Sequence, residues 1–446
     1  MRSLFVSVIL VALGANALRG PLEGLLLYLW LAYFRPEQWM WDPRVIQNLN
    51  LSFVVGVYLV IRSLPNLLRS RFDLRCVLFL LFMVLTGVSA YASRESTYAL
   101  DKWTDFAKVM SVAYILYVLT SESLDKFRLT LIVIAFSLGF EAVKQGYGGL
   151  ILHPGGINTN ELTQLGDNNG VAVGMLMLAA VFLGLARAAT IPWEKRLHLF
   201  LMFGVLYRAI SSYSRGGFLA AATLGMVMTI RSNQKLKVGV ATLVVGVVIA
   251  AALPQQFWDR MSTMNVSQEE ELDSSSAGRL HFWRVAVRMA NSNPILGTGY
   301  LTYEKFYNEF DFSAGFYGKD RAVHSMWFGI LAELGYTGLL LFISLFAMAV
   351  IDMGWVLKRA RAGDLPMPFY HYAVALQGAF AACIVGGSFL PWQYTEMLYH
   401  CFALSMALRA LAIRTISAAT VSQKTGSPQP ARSAFRPANA AARVPA

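Results

Sequence analysis

The chain has 446 residues, of which 56% are hydrophobic and only 14% are charged, and its mean hydropathy is +0.49. Soluble domains usually carry about 25% charged residues, so this composition excludes a soluble globular protein and indicates an integral membrane protein. The net charge of +12 comes from basic residues in short loops between apolar runs, which favours a role in membrane orientation over nucleic-acid binding.

Apolar runs recur along the chain and predict an all-α, polytopic membrane protein with about 12–13 transmembrane helices and one long outer loop. Helices are expected because each span must satisfy its own backbone hydrogen bonds, whereas a β-barrel would show short alternating segments. The first two runs are short and form either two thin helices or one broken element around Arg19-Gly20-Pro21. The predicted spans are 3–18, 21–34, 51–66, 76–93, 103–120, 128–143, 170–187, 196–212, 216–231, 237–254, 324–351, 370–390 and 396–414.

Basic residues in alternate connections predict the orientation of these spans, because cytoplasmic loops carry an excess of Lys and Arg. The long acidic connection then faces the periplasm. The predicted organisation is N-terminal transmembrane helices over 1–254, a periplasmic loop with short helices over 255–323, C-terminal transmembrane helices over 324–416, and a disordered cytoplasmic tail over 417–446. The basic residues that define the inner side are Arg62, Arg69, Arg71, Arg75, Arg187, Lys195, Arg196, Arg231, Lys235, Lys237, Lys358, Arg359, Arg361, Arg409 and Arg414.

Three tryptophans, Trp39, Trp41 and Trp392, fall near predicted outer boundaries. Tryptophan is enriched where a membrane meets water, because its ring is apolar and its N–H is polar. These residues therefore predict an interfacial aromatic belt without a further role.

Four polar clusters, distant in sequence, converge on the same predicted outer boundary. They are the GDNNG segment 166–170, Arg215 in the turn between two spans, the segment 277–299 (AGRLHFWRVAVRMANSNPILGTG), and the segment 322–338 (AVHSMWFGILAELGYTG). A charge at bilayer depth costs about 2.5–3.5 kcal/mol on insertion scales, so its retention requires an explanation. This convergence predicts a functional site on the outer face.

Each cluster also has a purely structural interpretation. Asp167 and Asn168 have the side chains that commonly cap helix N-termini, and Arg215 could extend its guanidinium to the interface. A single histidine near a helix start, such as His324, is more often structural than catalytic.

His281, Arg284 and Arg288 follow a helical spacing of i, i+3 and i+7. This spacing is typical of an amphipathic helix on the membrane surface with a solvated basic stripe. For Arg284 and Arg288 that interpretation stands beside one in which they bind substrate.

Taken together, separated arginines and a histidine at a partly dry outer site indicate chemistry on an anion. Arginine offers bidentate donors and keeps its charge when buried, which suits a diphosphate leaving group. Histidine accepts a proton from an alcohol near neutral pH. The sequence has no zinc-protease HExxH, no phosphate-binding GxxxxGK[ST] loop, no GxSxG turn and no tight outer carboxylate cluster, so it predicts metal-independent transfer without a cofactor.

The order and spacing of these motifs resemble the O-antigen ligase and polymerase-like superfamily of bacterial inner-membrane proteins. The likeness is greatest to the exosortase A-associated O-glycosylation ligases. It runs from RGPLEGLLLYLWLAYFRPEQW through GDNN, YSRGGFLA and GRLHFWRVAVRMANSNPILGTG to VHSMWFGILAELGYTGLLLF, and so covers most of the membrane domain.

The resemblance implies transfer of a glycan from undecaprenyl diphosphate to a hydroxyl acceptor, lipid A core or protein, on the periplasmic face of the inner membrane. It implies that Arg215 and Arg279 hold the diphosphate and that His324 orients or deprotonates the acceptor. Asp167 and Asn168 match the family's outer polar motif and would shape the site or bind sugar.

The acceptor stays open at this stage, because lipid A core ligases, protein O-oligosaccharyltransferases and chain polymerases share the architecture. A ligase is the favoured interpretation and a polysaccharide polymerase the alternative. A transporter of a lipid-linked glycan would also place arginines on a pathway, but it predicts charged residues at mid-span and an internal repeat.

Overall fold

The computed structural model describes residues 2–40, 50–70, 72–232, 234–252, 258 and 269–425, and within them it is helical with no β-strand. A 3₁₀-helix at Pro36–Trp39 accompanies the α-helices. The α-helices are α1 Arg2–Ala17, α2 Pro21–Phe34, α3 Leu51–Arg69, α4 Leu74–Ala92, α5 Ser96–Thr120, α6 Leu124–Leu152, α7 Asn168–Ala188, α8 Pro192–Ile210, α9 Arg215–Arg231, α10 Lys235–Ala252, α11 Glu269–Ser292, α12 Tyr303–Phe310, α13 Met326–Arg361, α14 Met367–Gly387 and α15 Glu396–Thr425.

Every predicted span coincides with one of these helices, and the chain is an all-α, multi-pass membrane protein. By length and composition alone, six described helices are long and apolar enough to cross a membrane: α3, α4, α7, α13, α14 and α15. Others are short or carry several charges, as α5 does at Asp101, Lys102, Asp105 and Lys108. The chain turns at Arg19-Gly20, so α1 and α2 are two helices, and they pack together around Ala17, Leu27 and Leu31.

The centre of the bundle is formed by α7 and α14, which pack against each other and bury about four-fifths of their apolar windows, 83% and 78%. Small residues allow this approach: a side chain added at Gly184 of α7 would lie 2.6 Å from the β-carbon of Ala375 in α14. In a membrane such close packing replaces the hydrophobic effect as the force between helices. By contrast, α3 and α4 present exposed apolar side chains, as lipid-facing helices do.

Basic residues gather at one end of the bundle, which we call the basic end. There Arg75 pairs with Asp352 at 2.5 Å, and Arg361 donates to the carbonyl of Arg231 at 3.0 Å. At this end, too, Arg414 donates to the backbone carbonyl of Ser121 at 2.8 Å. The opposite end, where α7, α9 and α13 begin, is called the site end.

Helix α13 is interrupted near the site end at Gly335, whose φ of 68° and ψ of −168° are outside the helical range. The break leaves backbone carbonyls without helical partners. The NPILGTG segment supplies donors for these carbonyls. Thr298 N–H donates to the Ala332 carbonyl at 2.9 Å, and Gly299 N–H donates to the Glu333 carbonyl at 3.1 Å. These two hydrogen bonds join the membrane helices to the part of the chain that contains α11 and α12 and precedes α13, which we call the outer segment.

The outer segment forms its own small core between α11 and α12, centred on Phe282, Val285, Tyr303 and Tyr307. The expected solvated stripe is wrong at His281, which is only 6% exposed and lies 2.7 Å from Asp311. Burial alone would raise the pKa of Asp311, but hydrogen bonds from Ser313, Gly315 and His281 hold it down to about 2.

Trp392 does not belong to a lipid-facing belt, because it is buried and its indole N–H donates to the Leu165 carbonyl at 3.3 Å. Trp41 lies outside the described residues. Helix α15 continues to Thr425, whereas residues 426–446 lie outside the description, so the disordered tail stays a prediction.

Candidate functional site

Three helices begin at the site end close to the sequence motifs singled out above: α7 at Asn168, α9 at Arg215 and α13 at Met326. Asp167 caps α7 by accepting a hydrogen bond from Gly170 N–H at 2.9 Å, and Ser214 caps α9 by accepting one from Gly217 N–H at 3.2 Å. Helix N-termini carry partial positive charge, so their convergence favours an anion.

The turns before α7 and α9 are joined directly. The side-chain amide of Asn168 donates to the Ser212 carbonyl at 3.1 Å, and the backbone N–H of Asn158 donates to the Ser211 carbonyl at 2.7 Å. Asn168 therefore positions the turn that carries Arg215.

Arg215 is the first residue of α9 and its side chain is exposed. The helix start approaches α7 closely, because a β-carbon at Gly217 would lie 2.8 Å from that of Ala172. The guanidinium thus leaves a tightly packed helix start at the end of the bundle, and its charge is not buried at mid-span.

Arg279 reaches the same place from α11. Its guanidinium carbon lies 5.9 Å from the centre of the Phe389 ring, and that ring also lies beside Gly216. Burial, reinforced by the charge of Arg215, lowers the pKa of Arg279. The positive charges of Arg215 and Arg279 are therefore close enough to interact beside the Phe389 ring.

His324 stands immediately before α13 with a φ of 49°, in the left-handed region that is uncommon for residues other than glycine. Its ring is half-buried, 6.2 Å from that of Phe282. Burial lowers the pKa of His324, and the charges of Arg279 and Arg321 lower it further against an opposing effect of Asp167. The imidazole is therefore neutral at pH 7 and able to accept a proton.

Within the part of the chain whose side chains the structure describes, the positive charge at this site has no ion-pair partner. Among the described residues, no carboxylate lies within ion-pair distance of Arg215, Arg279 or Arg321. Like charges held close together repel, and a bound anion relieves that repulsion. Asp167, whose carboxylate is engaged at the α7 cap, is the acidic group that His324 senses.

Two further predicted residues are placed differently. Arg288 donates to the Phe310 carbonyl at 3.3 Å and lies 4.8 Å from the centre of the Phe312 ring, on the face of α11 that packs on the outer segment. Arg284 is exposed, and no contact within the described chain joins it to Arg215, Arg279 or His324. The structure therefore brings together Asp167, Asn168, Arg215, Arg279 and His324, but not Arg284 or Arg288.

Sequence reasoning missed residues that support the site. Arg208, fully buried in α8, donates to Gln145 Oε1 at 2.8 Å and to the carbonyls of Asn158 and Asn160. An arginine in an apolar run was the signal for it, as it was for Arg215. No sequence pattern indicated Phe389 or Arg321, because their positions at the site depend on how distant segments fold together.

The carboxylate of Glu333 is buried in α13 and held by hydrogen bonds. It accepts from Tyr303 N–H at 3.3 Å and from the Gln393 side chain at 3.2 Å. Within the described residues, no group of three or more His, Cys, Asp or Glu is placed to hold a metal ion.

A helical membrane bundle that carries a cluster of arginines and a half-buried histidine at one end is thus the class of protein that the fold and the site define. Residues 197–343 match the sequence model of the O-antigen ligase family, and residues 1–193 match a family of unknown function (DUF5935). The first match supports the O-antigen ligase and polymerase superfamily, and a glycosyltransferase-like enzyme. The region that matches the O-antigen ligase model contains Arg215, Arg279 and His324, whereas Asp167 and Asn168 lie in the region that matches DUF5935. No curated protein matches the chain.

Proposed function

We propose that the protein transfers a glycan from undecaprenyl diphosphate to a hydroxyl acceptor, as an O-antigen ligase does. The observation that carries this proposal is the position of Arg279, whose guanidinium lies 5.9 Å from the Phe389 ring beside Gly216, next to Arg215. Its charge also acts on His324, whose pKa it lowers. An anion-binding pair and a proton acceptor therefore share one site. Ligase chemistry requires both groups.

In the proposed step, the acceptor oxygen attacks the anomeric carbon as its proton passes to the imidazole of His324. The bond between that carbon and the diphosphate oxygen breaks, and its electron pair stays with the diphosphate. Arg215 and Arg279 stabilise the charge that develops there, which is the largest catalytic contribution of many enzymes. A single displacement inverts the anomeric centre, and the arginines supply the charge compensation without a metal ion.

Asp167 and Asn168 have supporting roles in this proposal. Asp167 caps α7 beside the histidine, and Asn168 fixes the turn before Arg215. Arg284 and Arg288 have no proposed contact with the diphosphate and belong to the outer surface.

The proposed location is the bacterial inner membrane with the site end in the periplasm. The support is the clustering of Arg75, Arg231, Arg361 and Arg414 at the opposite end, because basic residues mark the cytoplasmic side. Lipid A core or a protein supplies the acceptor hydroxyl. The likeness of the motifs to exosortase A-associated ligases favours an O-glycosylation role within the superfamily.

The test uses purified protein in liposomes with labelled undecaprenyl-diphosphate glycan and a lipid A core or protein acceptor. Label on the acceptor with the wild type, and not with Arg215→Ala or His324→Ala, is the expected result. A lengthened carrier-linked chain would identify a polymerase, which the superfamily accommodates equally. Label crossing the bilayer without any transfer would overturn the proposal in favour of a transporter.

A further inference from the structure

A polar cavity is lined by the segment that leads to Asp167 and does not include Arg215, Arg279 or His324. Its volume is about 330 Å³, at the lower end of the range of about 300–1,000 Å³ for small-molecule sites. The end of α2, the following 3₁₀-helix, residues 137–145 in the middle of α6, and residues 161–164 line it. No step of the proposed reaction uses this cavity.

An ordered aromatic ring forms one wall. Trp39 stacks on Phe34 with ring centres 5.7 Å apart and planes 10° from parallel. The Phe140 ring packs against Trp39 in a T-shaped arrangement, with ring centres 5.2 Å apart. Lys144 lies over the tryptophan at 5.0 Å, but its side chain is 63% exposed, and its ion pair among the described residues is with Glu141. Exposed pairs contribute about 0–1 kcal/mol, so a ligand can displace this lysine from the ring.

Hydrogen-bonding groups surround that ring. The side-chain N–H of Gln164 donates to the Tyr33 carbonyl at 2.7 Å, while its Oε1 is buried and has no hydrogen-bond partner among the described residues. Buried acceptors in native structures are nearly always satisfied, so this oxygen calls for a donor. Glu141 and Glu161 line the same cavity, and their carboxylate oxygens are able to accept hydrogen bonds from a ligand.

We propose that this cavity binds a saccharide. A sugar ring has an apolar face that packs on an aromatic ring and hydroxyls that donate to amide and carboxylate oxygens, which is the combination present here. Glu141 and Glu161 disfavour a phosphate, and the polar lining disfavours an acyl chain. The chemistry that fits is a neutral sugar.

The cavity lies near enough to the cationic site to serve the same substrate. Gln164 and Asp167 are three positions apart in the chain, so their α-carbons are at most about 11 Å apart. This inference rests on the proposed function in one respect: the sugar bound here belongs either to the donor glycan or to the acceptor. In both cases the cavity selects which glycan is transferred.

The first experiment measures equilibrium binding of labelled oligosaccharide, released by mild acid from the host's own undecaprenyl-diphosphate glycan, to the purified full chain in detergent. Trp39→Ala and Gln164→Leu should each weaken binding at least fivefold. Trp193→Ala is the matched control, because that tryptophan is exposed near the basic end and should leave affinity unchanged. Thermal unfolding confirms that each variant is folded. If Trp39→Ala does not fold, Gln164→Leu alone tests the cavity.

The second experiment compares transfer kinetics of the same variants. A higher KM for the donor with kcat within twofold identifies the donor glycan as the bound sugar, and a higher KM for the acceptor identifies the acceptor. Failure of the wild type to bind the oligosaccharide, or equal binding by wild type and both cavity variants, would overturn the saccharide site. Oligosaccharide binding that depends on Trp39 in a protein without transferase activity would retain the site and reject the proposed function.

Discussion

The side-chain amide of Asn168 donates a 3.1 Å hydrogen bond to the backbone carbonyl of Ser212. This bond joins the start of α7 to the turn before α9, two segments separated by 44 residues in the chain. Arg215 follows that turn, so the bond fixes where its guanidinium projects. The resemblance implies that Asn168 shapes the site or binds sugar, and in the structure its side chain holds the turn before Arg215.

Replacing Arg279 by lysine should lower kcat for glycan transfer by about 10²-fold, because lysine keeps the charge but loses the bidentate donors. Arg215→Lys should have an effect of the same size. Arg284→Lys on the same helix as Arg279 is the matched control and should stay within twofold, since Arg284 is exposed and away from the site. Full activity of Arg279→Lys at wild-type expression would remove this arginine from the diphosphate site.

Activity should depend on the neutral form of His324. Burial and the charges of Arg279 and Arg321 hold its pKa below the ordinary value of 6.5, so kcat/KM should fall only as the pH drops below about that value. Removing a positive charge in Arg321→Gln favours the imidazolium and raises the pKa. The acidic limb of the pH–rate profile should therefore move to higher pH. Arg284→Gln, which removes a charge from the same outer segment, should leave that limb in place; an unmoved limb in Arg321→Gln would contradict the role of His324 as base.

The buried arginine Arg208 should be required for stability and for site geometry. Arg208→Met leaves Asn158 and Asn160 carbonyls without its hydrogen bonds, at a cost of about 1.5–3 kcal/mol for a charged donor. A lower Tm in detergent and reduced transfer should follow, because those carbonyls belong to the segment leading to Asp167. The control is Arg196→Met, exposed at the other end of the same helix. Equal Tm values for the two variants would exclude the anchoring role.

The break in α13 should tolerate only glycine at position 335. Its φ of 68° with ψ of −168° is a conformation nearly restricted to glycine, and an added β-carbon would lie 2.4 Å from the Pro294 carbonyl oxygen. Gly335→Ala should therefore cost about 1–3 kcal/mol and lower the Tm. Gly354→Ala in the regular part of the same helix, whose added β-carbon meets nothing closer than 3.8 Å, should be neutral or slightly stabilising. A wild-type Tm for Gly335→Ala would show that the kink relaxes without the glycine.

The sequence by itself determined the helical membrane fold and the place of each span along the chain, because transfer of apolar side chains out of water is read directly from local composition. It did not determine where every helix ends, since α6 continues to Leu152 and α13 to Arg361, well beyond the predicted ends at 143 and 351. It also pointed to Arg215, Arg279 and His324 through motifs whose order along the chain places them at one boundary.

Only the tertiary structure decided which basic residues meet. Arg279 and Arg284 are five positions apart on one helix, yet the first faces Phe389 and the second faces outward. Likewise, Trp392 is held inside by the Leu165 carbonyl, and His281 is buried by Asp311, a residue of the following segment. Hydropathy patterns record how strongly a residue prefers water, whereas the partner that satisfies a polar group in the interior comes from distant segments and is fixed only when the helices pack.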